Sequence, residues 1–263
     1  MGPVITAVIL SFRDEAGNFT LANYLYIFKD PYFLKAVINT GIFVAISVTL
    51  EFVVAFSLAL LINKRFRGAG AFLSLALIPM TLPPVAVGAM WSSGFAVHGW
   101  MNSLLYRLGF ITEGEKIVFL GGTEFQSLML IILIDAWQVI PFMMIILLAG
   151  LQNLPKESIE AGYIFGATRF TVLRKITMPM MKPSIQTALI LRIISALQVW
   201  LIIVMIYGYR RIPVLVEEVV FYEEVLLNFY RVALAYSVIV SVIVSIVAVI
   251  YLKVSGAFEK APE

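Results

Sequence analysis

Apolar residues run almost unbroken through five stretches of the chain, roughly 36–62, 70–95, 128–150, 184–208 and 232–254. Each is long enough to cross a bilayer as a helix, because about 20 residues at 1.5 Å rise span the hydrocarbon. A shorter apolar fragment, residues 3–12, precedes them. It is too short to cross alone, and it lacks the basic start and small-residue cleavage site of a signal peptide. It reads as the outer half of a truncated first span, which makes about six spans with both termini on one side. Two stretches carry helix breakers: Pro79, Pro83 and Pro84 in 70–95, and Pro141 in 128–150. Prolines free backbone carbonyls, which lipid tolerates only where neighbouring helices, water or side chains satisfy them. Such breaks often line transport paths; plain structural kinks are also common. The predicted architecture is all-α, one polytopic membrane helix bundle over residues 1–263.

Between residues 151 and 183 the pattern changes to "ESIEAGYIFGATRFTVLRKITMPMMKP" and its short lead-in. Asn153 is placed to cap a helix starting at Leu154, with Pro155 in its first turn. Glu157 and Glu160 come early and Arg169, Arg174 and Lys175 late, the order that suits a helix dipole. Ile159, Tyr163, Gly166, Phe170 and Leu173 recur at spacings of 4, 3, 4 and 3 and form one stripe on a helix. Gly166 in that stripe lets another backbone approach or the helix bend. Pro179 ends the pattern and Pro183 starts the next span. Such an amphipathic element can lie on lipid, pack on its own bundle, or enter a groove of a partner; periodicity alone does not choose.

Composition supports the membrane reading. The chain is 61% hydrophobic and 13% charged, against about 25% charged in soluble domains. The net charge of +3 comes from scattered residues, with no basic stripe of the kind that binds nucleic acid. Lys64, Arg65 and Arg67 fall in one short loop. Lys156, Arg169, Arg174, Lys175 and Lys182 fall in and beside 151–183, and Lys253 and Lys260 at the end. The other side holds Glu113, Glu115, Glu124, Glu217, Glu218, Glu223 and Glu224. The denser basic side predicts that 151–183 and the C-terminus are cytoplasmic and that the chain is a multi-pass protein of the cell membrane.

The chemistry that is missing narrows the function. The chain has no cysteine and one histidine, His98, so cysteine catalysis and a histidine metal cluster are not expected. It has no G-x-x-x-x-G-K-[ST], G-x-S-x-G or H-E-x-x-H stretch. Three charges fall within spans: Glu51, Asp135 and Arg192. Asp135 and Arg192 reach depths within about 4 Å of each other and are expected to pair; the role of Glu51 is open. Trp137, Gln138, Gln198 and Trp200 combine flat apolar faces with hydrogen-bonding groups and are candidates for a sugar path. Packing and interhelical hydrogen bonds serve equally well as their explanation. Trp91 and Trp100 read as interfacial belt residues.

The residues of 160–179 carry a resemblance. "EAGYIFGATRFTVLRKITMP" resembles the EAA motif of permease subunits of binding-protein-dependent ABC importers: Glu-Ala-Ala, three residues, Gly, nine residues, Ile, one residue, Leu-Pro. Glu160, Ala161, Gly166, Ile176 and Pro179 are in register; Gly162 replaces the third motif residue and Met178 the Leu. "AVINTGIFVAISV" at 36–48, the proline-rich 63–91 and "DAWQVIPFMMIILLAGLQNLPKE" at 135–157 extend it, the last toward the sugar-type branch of the maltose-transporter permeases. Two departures stand out: Phe165 where sugar-type members usually have Asp, and "YGYRRIPVLVEEVVFYEE" where they have a Gly-Gly-Pro segment. The resemblance implies a non-enzymatic pore subunit for a carbohydrate. In that family the EAA loop is a coupling helix docked on an ATPase, with Glu160, Ala161, Tyr163, Gly166, Phe170, Ile176 and Pro179 as its residues here. The implied partners are an ABC ATPase dimer that holds ATP and magnesium, a second related permease and an extracytoplasmic solute-binding protein. A non-sugar solute, or an ion-coupled secondary transporter, is the alternative.

Overall fold

The computed structural model describes residues 2–112, 114–226 and 229–256. Glu113 and Lys260, counted above among the loop charges, lie outside the described residues. Lipid offers no hydrogen-bond partner, so a backbone crossing it must bond within itself; the described chain is accordingly helical, with no strand. The helices are α1 (Gly2–Ser11), α2 (Ala22–Lys29), α3 (Pro31–Asn63), α4 (Ala69–Leu77), α5 (Pro84–Phe95), α6 (Trp100–Arg107) and α7 (Glu124–Gln152). They continue with α8 (Lys156–Ile164), α9 (Arg169–Val172), α10 (Met178–Met180), α11 (Lys182–Leu197), α12 (Leu201–Tyr207), α13 (Leu215–Val220) and α14 (Tyr230–Val254).

Among the described residues three helices, α3, α7 and α14, are each long and apolar enough to cross a membrane, and two broken runs raise the number to as many as 5. The prolines of 70–95 break the helix. The stretch 70–95 is α4, a 3-10 turn over Pro79–Thr81, and α5. Pro83 is extended, with φ −66° and ψ 146°, as a residue preceding proline must be. Pro141, by contrast, stays inside α7 without ending it. The stretch 184–208 breaks between Leu197 and Leu201, where no proline announced it.

The chain divides into two compact units. The first is Met1–Ile46, Leu82–Asp135 and Ser195–Val247; the second is Ser47–Thr81, Ala136–Ile194 and Ala248–Glu263. In the first, Ile27, Tyr222, Val232, Ala233, Ala235 and Tyr236 form a buried cluster. Asn39 and Thr40 tie α3 to the chain leading into α13. The Asn39 amide donates to the Pro213 carbonyl at 3.0 Å and to Glu124 at 2.8 Å, and the Leu215 N–H donates to the Thr40 hydroxyl at 3.1 Å. In the second unit, Ala55, Ala59 and Ile62 of α3 share a core with Met143, Met144, Leu147, Leu148 and Leu151 of α7, joined by Met181 and by Ala188 of α11. The i, i+4, i+7 spacing in α3 is that of one helix face.

Within the first unit α5 meets α12 at Gly88, where an added Cβ would lie 2.5 Å from the Cβ of Met205. Overpacking of this kind costs about 1–3 kcal/mol. Gly88→Val is expected to lower the thermal midpoint of the detergent-solubilised protein. Gly41→Ala, in open space, is expected to leave it unchanged or raise it.

Candidate functional site

The segment 151–183 lies wholly in the second unit. It is not one helix. The α8 helix begins at Lys156, with Pro155 rather than Asn153 at its cap position and no side-chain cap. It ends in a Schellman turn: the Ala167 N–H bonds the Gly162 carbonyl and the Gly166 N–H the Tyr163 carbonyl, both at 3.0 Å. Gly166 takes φ +79°, a conformation that costs a side-chain-bearing residue about 1–2 kcal/mol. Thr168 then caps α9, its hydroxyl accepting from the Thr171 N–H at 3.3 Å. A π-helical turn over Leu173–Thr177 follows, just ahead of Pro179, whose ring would meet the carbonyl four residues back in a continuous α-helix.

The single stripe expected from spacing is therefore divided. Leu173 turns onto the core of its unit, Ile159 is half-buried, and Gly166 is the corner. Glu160 is exposed, Ala161 and Ile176 are half-buried and Pro179 is exposed. Gly162 packs under Ile176 and Val172, which braces the two arms. At the corner the large side chains point outward: Phe165 is 89% exposed, Ile164 83%, Phe170 69% and Tyr163 48%. Sequence reasoning found Tyr163 and Phe170 but missed Ile164 and Phe165. Their signal was the apolar pair directly ahead of a glycine that ends a helix.

In the first unit a cavity of about 450 Å³ is lined by Gln198, Trp200, Val216, Val219, Ser237, Val240, Ser241, Val244 and Ser245. It brings two of the sugar-path candidates together. Asp135, which is buried, and Trp137 and Gln138 of the second unit are not among its lining residues. Ser237, Ser241 and Ser245 stand at i, i+4 and i+8 on α14, each hydroxyl donating to a carbonyl of its own helix at 2.7–2.8 Å. Their lone pairs remain able to accept. Sequence reasoning passed over this serine ladder because it was embedded in an apolar span. Among the described residues no group of three or more His, Cys, Asp or Glu could hold a metal.

Two buried charge clusters complete the picture. In the second unit the Arg192 guanidinium holds the Glu51 carboxylate through two hydrogen bonds, Nε to Oε2 and Nη2 to Oε1 at 2.8 Å, and reaches the Ser47 hydroxyl at 3.4 Å. Glu51 is 0% exposed and Arg192 3%. Glu51, left without a role by the sequence, thus pairs with Arg192. Removing one member of such a pair leaves a buried charge and costs about 3–5 kcal/mol.

In the first unit Arg210 bonds Glu218 at 2.9 Å and Asp30 at 3.3 Å. Its guanidinium lies 3.9 Å from the Phe221 ring centre and 4.4 Å from that of Tyr32. Glu217 accepts the backbone N–H groups of Arg210 and of Val214, and the Tyr222 hydroxyl donates to Asp30. Glu217 and Glu218 are fully buried. Burial pushes Glu218 up to about 7; Arg210 opposes the shift and Glu217 adds to it. Burial also raises Glu217, against its backbone donors and Arg210.

The chain's residues 51–258 match the family model described as "Binding-protein-dependent transport system inner membrane component". This chain belongs to that family. The transport component is similar to the trehalose/maltose transport system permease protein MalF of Thermococcus litoralis, 34% identical over 203 residues, 76% of this chain and 66% of that protein. It therefore spans about two thirds of MalF's length. The trehalose transport system permease protein SugA of Mycobacterium tuberculosis is 29% identical over 94% of this chain and 78% of the relative. A crystal structure of a bacterial ABC transporter involved in the import of the acidic polysaccharide alginate shares the fold. It has TM-score 0.84 and 20% identity, over 98% of this chain and 90% of that one.

The Glu218 cluster predicts a pH dependence with a definite sign. A carboxyl held above its ordinary value of 4.5 keeps a proton in the folded state that the unfolded chain has released. Stability is then full below that value and falls as pH rises through about 7. Glu218→Gln, which mimics the protonated form, is expected to melt about 5 °C above the parent at pH 8 and close to it at pH 5. Thermal unfolding in detergent at the two pH values measures this.

Proposed function

We propose that this chain is the pore-forming subunit of an ATP-driven carbohydrate importer, moved through the loop at 151–183. The observation that carries the proposal is the corner of that loop. A rigid helix–turn–helix, closed by Gly166 and Thr168, presents Phe165, Ile164, Phe170 and Tyr163 outward in the register of the EAA motif. Large apolar side chains so exposed need a partner surface, and a helix-in-groove contact suits their geometry. That partner is an ABC ATPase dimer, which binds ATP and its magnesium; this chain supplies no P-loop and no catalysis. The loop and the C-terminus face the cytoplasm, as the density of Lys and Arg argues. A second, related permease completes the pore, and an extracytoplasmic solute-binding protein delivers the cargo. The resemblance to the sugar-type permeases favours a heterodimer with a related chain over a homodimer.

The substrate class follows from the named relatives and from the cavity's chemistry. A pyranose presents C–H faces that stack on a ring such as Trp200, and hydroxyls that need groups such as Gln198 and the α14 serines. Asp135, Trp137 and Gln138 belong to the same path on this proposal, Asp135 through charge within a span.

The test is ATP-dependent uptake of labelled trehalose and maltose by vesicles holding this chain with its ATPase and second permease. Uptake that ignores the ATPase and follows an ion gradient would refute the proposal. An aromatic anchor at the centre of an interface contributes about 2 kcal/mol. Phe165→Ala and Phe170→Ala are therefore each expected to weaken ATPase binding about 30-fold. Leu108→Ala, an exposed apolar residue of the first unit, is expected to have no effect. Binding of the ATPase to nanodisc-embedded variants gives the comparison.

A further inference from the structure

We propose that Arg192 and Glu51 are positioning residues of the transport cycle: their paired side chains pin α11 in register with α3, so that displacement of the 151–183 loop is carried along both helices. The inference rests on the importer reading above and adds a mechanical role that the reading does not contain.

The faces of the two helices set the argument. On α3, Ser47, Glu51, Ala55, Ala59 and Ile62 follow one another at steps of four, four, four and three, and all are buried. On the other side Met181, Ile185, Ala188 and Arg192 follow at four, three and four, and Met181, Ala188 and Arg192 are buried. Each set is one helix face. Met181 and Ala188 share the core with Ala55, Ala59 and Ile62, and the loop's own Leu173 and Met178 pack against that core. The loop is thus seated directly on the seam it would have to move.

The middle of the seam carries small residues. Ala55, Ala59 and Ala188 are fully buried, and close against them Gly150 of α7 leaves room for Ser184, whose hydroxyl would lie within 2.4 Å of a Cβ at that glycine. Small residues permit close approach and give little resistance to sliding. The pair of Arg192 and Glu51 differs in kind. A guanidinium fork on a carboxylate is planar and directional. A slip or twist of either helix breaks both hydrogen bonds and separates two buried opposite charges. It stands about 16 Å along the helix from Met181, at 1.5 Å per residue. It also lies within five residues of Ser47 and Ile194, where α3 and α11 leave the second unit. A register pin at that end converts a push at the loop into a concerted shift of both helices.

The test uses the full complex in nanodiscs, with Gln198→Cys as reporter, since the chain has no cysteine of its own and Gln198 follows the last residue of α11. Two readouts are taken together: ATP hydrolysis, and the rate of maleimide labelling at position 198 with and without ATP and vanadate. In the parent complex nucleotide is expected to change the labelling rate about ten-fold. With Arg192→Lys or Glu51→Gln the change is expected to fall below about two-fold while hydrolysis stays within about two-fold. The exchange Glu51→Arg with Arg192→Glu is expected to restore most of the change. Ser47→Ala, which keeps the Arg192–Glu51 hydrogen bonds and removes the contact of Arg192 with the Ser47 hydroxyl, gives a smaller loss of the same kind if the stronger variants fail to assemble. Undiminished response in Arg192→Lys and Ser47→Ala overturns the inference, as does a loss of response in strict proportion to a loss of hydrolysis. A parent complex whose labelling ignores ATP refutes the importer reading itself.

Discussion

Hydrocarbon supplies no hydrogen-bond partners, and every feature of this chain answers to that constraint. Where the backbone runs as α3, α7 and α14 it satisfies itself. Where it departs from helix, at Pro79–Pro84 and between Leu197 and Leu201, carbonyls and N–H groups are released, and such breaks persist at membrane depth only beside protein or a polar cavity. The second break opens directly onto the cavity lined by Gln198, Trp200 and the α14 serines. The same constraint governs side chains. Charges inside the second unit survive because Arg192 and Glu51 satisfy each other, and the buried acids of the first because Arg210 and backbone donors meet them.

The loop at 151–183 is the complement of those spans. It keeps large apolar side chains exposed on a frame that local chemistry makes rigid: a left-handed glycine, a threonine cap and a glycine packed beneath an isoleucine. A flexible loop would lose ordering entropy on docking; this one has lost it already. Stiffness at the contact and a seam of small residues behind it suit a part that transmits displacement.

Continuous apolar runs fall on the long helices α3, α7 and α14 among the described residues, because burial in lipid leaves little else to choose from. Hydrophobic periodicity could not see the break at Gln198–Trp200, where no proline or glycine interrupts the pattern and tertiary packing decides. Nor could it give Glu51 a role: depth along a span says nothing of helix face, and Glu51 shares with Ala55 and Ala59 the face that reaches Arg192. The segment Tyr209–Glu224, read only as a departure with acidic residues, folds into the Arg210 cluster. Two arginines followed by four glutamates in a short connection say that pairing occurs and leave open which pairs form. The EAA spacing was legible because a helix stop, a cap and a proline each demand a particular residue at a fixed place, whereas the outward turn of Ile164 and Phe165 depended on where that stop fell.

On the proposed function, the exposed corner of this loop is an ATPase docking surface. The most direct measurement of this is thiol protection at position 169, exposed beside Phe170, using Arg169→Cys as the sole cysteine in the chain. A membrane-impermeant maleimide is applied to the loop side of vesicles with and without the assembled ATPase. The account predicts rapid labelling of the chain alone and strong protection, by about ten-fold or more, once the ATPase is bound. Equal labelling in both states would contradict it.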